Sequence, residues 1–109
     1  MTNATTIPVS VTPEAAARLA ELGFQAQVDR MIAYARQNLP EVERIEVALN
    51  ERYDTGGDAG VAIEAWSRRP FDPAERISWD LAGWMVKEFP PEVLEHLHMS
   101  YHPGAPYAG

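Results

Sequence analysis

Two alternating apolar arms around a glycine-rich reversal, with helical stripes on either side, predict an α+β two-layer sandwich. The arms are Ile45-Glu46-Val47-Ala48-Leu49-Asn50 and Val61-Ala62-Ile63-Glu64-Ala65-Trp66. Ile45, Val47 and Leu49 share one face of the first arm, and Val61, Ile63 and Ala65 share one face of the second. Between them, Asp54-Thr55-Gly56-Gly57-Asp58-Ala59-Gly60 supplies residues that tolerate positive φ, so the pair reads as a β-hairpin. A sheet that is apolar on one side needs a cover, and the flanking helical segments provide it. The expected order is an N-terminal helix pair, the β-hairpin, a C-terminal helix and a third antiparallel strand. All of it falls in one domain, 1–109, with 1–6 and 103–109 flexible.

Taken in order, Ile7-Pro8-Val9-Ser10-Val11 alternates, but Pro8 lacks a ladder donor and allows at most a short edge strand. Thr12-Pro13 starts a helix, with a hydroxyl at the cap, proline in the first turn and Glu14 set against the dipole. The alanine-rich run 13–22 continues it as far as Gly23, which ends the helix in the left-handed conformation or bends it. Phe24, Val28, Met31, Ile32, Ala35 and Leu39 then recur at helical spacing, and Pro40 closes that segment. The hairpin connection, roughly 51–60, is too long for a two-residue turn. Asp72, Pro73 and Glu75 form the start signal of the next helix, whose apolar stripe is Ile77, Leu81, Trp84, Met85 and Phe89. Pro90-Pro91 stops it, and Pro91–Glu95 has room for one more turn. His96-Leu97-His98-Met99-Ser100-Tyr101-His102 alternates and reads as a strand returning to the hairpin. A helix through Val93, Leu94, Leu97 and Tyr101 is the competing assignment.

Charge and composition narrow the function. The 109-residue chain carries 16 acidic and 9 basic residues, a formal charge of −7, and no cysteine. Nucleic acid is not an expected partner, because a phosphate backbone needs clustered lysine and arginine, and Arg68-Arg69 is the one basic doublet. The missing cysteines remove disulfides, thiolate nucleophiles and cysteine metal ligands. With no basic region and apolar run at residues 1–6, and no apolar segment of about 18 residues, neither a secretory signal nor a membrane partner is expected. The expectation is a soluble, cytoplasmic protein.

Little in the sequence points to catalysis. Asp54-Thr55-Gly56 resembles the aspartic-protease triplet in its letters, but Glu51-Arg52-Tyr53 precedes it where that family has apolar residues. It is read as turn chemistry. The glycine-rich loop opens no helix, so it makes no phosphate cradle. His96, His98 and His102 form the one metal-ligand constellation. On a strand they share a face, and two neutral imidazoles spaced as His96 and His98 can reach one zinc ion, whereas His102, roughly 13 Å further along an extended strand, joins only if the chain bends near Pro103. That is the alternative reading: a metal-binding module or metal-dependent hydrolase with zinc as cofactor.

The leading reading has no cofactor and rests on aromatics among charges. Trp66 falls on the hairpin face away from the apolar set, beside Glu64, with Glu46 as a cross-strand neighbour. Trp79 lies off the centre line of its helix. Exposed tryptophans ringed by carboxylates have the composition of a protein-binding patch. A small acidic protein-binding domain of the adaptor, immunity or antitoxin type is therefore expected. Its partner is another protein or a second copy, joined through a sheet edge or a tryptophan face.

Overall fold

The computed structural model describes residues 7–50, 60–70 and 76–103. The elements are β1 (Val9–Val11), α1 (Pro13–Leu22), α2 (Gln25–Asn38), β2 (Val42–Asn50), β3 (Gly60–Ser67), α3 (Ile77–Glu88), α4 (Pro91–Leu94) and β4 (Leu97–His102). The expected cap at Asp72, Pro73 and Glu75, the reversal at 51–59 with its Asp54 triplet, and the terminal stretches 1–6 and 104–109 lie outside the described residues.

Local chemistry accounts for the helix ends. The Thr12 hydroxyl accepts the Ala15 amide at 3.1 Å, and Pro13 needs no partner in the first turn. Gly23 takes φ 74°, and its amide closes α1 on the Leu19 carbonyl at 2.8 Å. A side chain there would be strained by the backbone alone, since open space surrounds the site. At the far end of α2, the Pro40 carbonyl accepts both the Ser67 hydroxyl, at 2.9 Å, and the Tyr101 hydroxyl, at 3.0 Å. These two bonds pin the α2–β2 corner to β3 and β4. Glu41 completes that corner with a left-handed φ of 55°.

The four strands form one sheet in the order β1-β2-β3-β4. The hairpin pairs antiparallel, with Ile45 opposite Ala65, Val47 opposite Ile63 and Leu49 opposite Val61. These residues, with Leu97 and Tyr101 of β4, face the helices. Ala15, Leu19, Val28, Met31, Ala35, Leu81, Met85 and Phe89 pack on them to make one core. No described element packs on the opposite sheet face.

The strand at the C-terminal end is present, so the strand assignment prevails over the helical one. Its direction corrects the expectation. β4 runs parallel to its neighbour β3, with Val61 opposite Leu97 and Ala65 opposite Tyr101, and it is antiparallel to the more distant β1 and β2. Side-chain alternation carries no information about direction. Direction is set by α3, which carries the chain back to the start of β3, where the next strand must begin. The short strand β1 also pairs, parallel to β2, so the sheet is mixed rather than mainly antiparallel.

The connections β1-α1-α2-β2 and β3-α3-α4-β4 step the same way across the sheet, while their strands run in opposite directions. With all the helices on one face, the two crossovers must have opposite hands. One of them therefore departs from the right-handed rule for parallel connections.

Candidate functional site

The open face is organised by hairpin register. Because Ile45 and Ala65 are paired and point inward, Arg44 and Trp66 are paired and point outward, and the parallel partner of Trp66 is His102. Three strands thus place three side chains in one row. The Trp66 and His102 rings stack with centroids 4.2 Å apart and planes 17° from parallel. The Arg44 guanidinium sits 4.9 Å from the Trp66 ring. A cation–aromatic–imidazole ladder therefore crosses the sheet, each contact contributing about 0.5–1.5 kcal/mol.

The next row holds Glu46, Glu64 and Ser100, with Ser10 of β1 beyond them. Glu46 accepts from Arg44 Nε at 3.0 Å, and Glu64 lies 3.7 Å from His102 Nε2. His102 Nε2 is also 2.9 Å from the Ser100 hydroxyl. Glu46 and Glu64 stand directly opposite one another across the hairpin. Like charges in that position work against strand pairing. Trp66 Nε1 is shut off from solvent and finds no acceptor among the described residues. Such an orphaned donor costs about 1–3 kcal/mol.

The three tryptophans separate. Trp66 joins Glu64 and Glu46 on the sheet, whereas Trp79 projects from α3 on the helical side, with the Arg76 guanidinium 5.6 Å from its ring. Trp84 stacks on Tyr34 of α2 with centroids 4.0 Å apart. With Arg30, Gln37, Asn38 and Glu88 these rings line a shallow groove of about 460 Å³. The Tyr34 phenol is raised above its ordinary pKa, first by burial and then by the Asp80 carboxylate.

The histidines also separate. His98 and His102 share the open face of β4, four residues apart. His96 precedes the strand, and its ring packs towards Phe24 of the helical layer at 6.1 Å. No group of three or more potential ligands among the described residues is placed to hold a metal ion. The residues that sequence reasoning missed as partners of Trp66 are Arg44 and His102. Arg44 follows from the hairpin register alone, but His102 needs the pairing of β4.

No helix of the described chain is long and apolar enough to cross a membrane. Comparisons with protein-family models, with curated proteins and with solved structures found no match to this chain.

Proposed function

We propose that this chain is a small acidic protein-binding domain of the adaptor, immunity or antitoxin type, working in the cytoplasm through the open face of its sheet. One observation carries the reading: the Arg44–Trp66–His102 ladder lies beside Glu46 and Glu64 on a face without a described cover. Trp66 offers a large rigid anchor of the kind that dominates interfaces. Arg44 and His102 engage Glu46 and Glu64 from one side only, and two carboxylates facing each other across the hairpin keep acceptor capacity for a cation from outside, so the partner segment presents lysine or arginine. A net charge of −7 would speed the approach of such a basic surface.

The test is a low-salt pull-down with tag-free controls, comparing wild type, Trp66→Ala and Trp79→Ala. The reading expects Trp66→Ala to lose the partner and Trp79→Ala to keep it. Equal capture by wild type and Trp66→Ala would remove its basis.

A further inference from the structure

We infer that the outer face of α3 is a separate surface on which a second copy of this chain docks antiparallel, independently of what the sheet face binds. A surface helix ordinarily has one apolar stripe, and α3 has two. Leu81, Met85 and Phe89 point into the core. Trp79, Ala82, Gly83 and Val86, at i, i+3, i+4 and i+7, make a second stripe on the outside, with Trp79 70% and Val86 69% exposed. A helix that is apolar on both sides belongs between two layers, and the described chain provides one.

The stripe is complementary to itself. A two-fold axis crossing α3 near Gly83 places two copies antiparallel, with the small residues Ala82 and Gly83 at the crossing point. A side chain on Gly83 would meet nothing within 4 Å in the single chain, so the close approach is unobstructed. At the 1.5 Å rise of a helix, the same axis sets Trp79 of one copy between Val86 and exposed Pro90 of the other. Asp80 and Lys87 flank the stripe on one side, and the axis brings each carboxylate opposite the other copy's ammonium. A parallel two-fold pair would carry these residues to opposite sides of the seam and leave both without a partner across it. Charge and shape thus select the same antiparallel pair. One 12-residue helix is a small interface, so the dimer is a weak one.

The experiment is sedimentation equilibrium on the full chain from micromolar to millimolar concentration. Wild type is expected to dimerise, with Val86→Glu and Trp79→Ser each weakening association by about tenfold or more. Lys87→Glu should weaken it by about threefold, and the swap Asp80→Lys with Lys87→Asp should restore it. Because the chain has no cysteine, geometry can be read directly. Gly83→Cys should form a disulfide-linked dimer under mild oxidation, and Ser10→Cys, on the sheet, should not. Wild type that stays monomeric at millimolar concentration overturns the inference. So does a dimer that ignores Val86→Glu, or one crosslinked through Ser10→Cys. A dimer lost in Trp66→Ala but retained in Val86→Glu would place association on the sheet face instead.

Discussion

At the scale of single residues, the Pro40 carbonyl carries more than its place in a loop implies. It accepts from both Ser67 and Tyr101, so each hydroxyl covers for the other. Ser67→Ala and Tyr101→Phe should each cost about 1 kcal/mol in urea unfolding. Together they should cost more than the sum, because the carbonyl then loses both donors. Tyr34 makes a second residue-scale prediction. Its pKa is raised in the folded chain, so the stability it contributes is complete below the unfolded tyrosine value of about 10 and is lost as pH climbs through the folded value. Tyr34→Phe should flatten the alkaline loss of stability above about pH 10. Asp80→Asn should flatten it less, since burial is the larger cause. Both can be followed by denaturant midpoints against pH.

At the scale of elements, two glycines are fixed for different reasons and should respond differently to alanine. Gly23→Ala meets only backbone strain at φ 74°, a cost of about 1 kcal/mol. Gly60→Ala would bring Cβ to 2.7 Å from the His96 carbonyl oxygen, which is held by the Val61 amide. Backbone must move there, and the cost should be about 1–3 kcal/mol, with β4 amides exchanging faster in hydrogen-exchange measurements. The elements themselves were legible in the sequence. Hairpin alternation, the Thr12-Pro13 start, the Gly23 stop and the stripe from Ile77 to Phe89 are local patterns, and local patterns fix type and extent. The direction of β4 was not legible, because Leu97, Met99 and Tyr101 alternate identically in either direction. β1 is the short edge strand that the alternation around Pro8 allows. Pro8 lacks a donor but accepts the Ile45 amide through its carbonyl at 3.0 Å, which an edge strand needs and proline can supply.

At the scale of the whole molecule, a helical layer covers one sheet face, and no described element packs on the other, which holds a self-opposed acidic pair beside an aromatic ladder. This arrangement predicts a trade between stability and recognition. Glu64→Gln relieves the cross-strand repulsion with Glu46 and should leave thermal stability unchanged or raise it by about 0.2–1 kcal/mol. The same change should weaken binding of a basic partner. Of the candidate site, Trp66, Glu64 and Glu46 could be placed together from the hairpin alone. That Trp79 would stand apart depended on how α3 packs, and the ladder depended on a parallel pairing that no local pattern encodes.

The most direct measurement is a two-dimensional NMR titration of isotopically labelled protein with a lysine- and arginine-rich peptide, using an acidic peptide of equal length as control. The account predicts that the basic peptide alone shifts the Trp66 indole resonance and the amides of Arg44, Glu46, Glu64 and Ser100. Shifts confined to α2 and α3, or equal responses to both peptides, would contradict it.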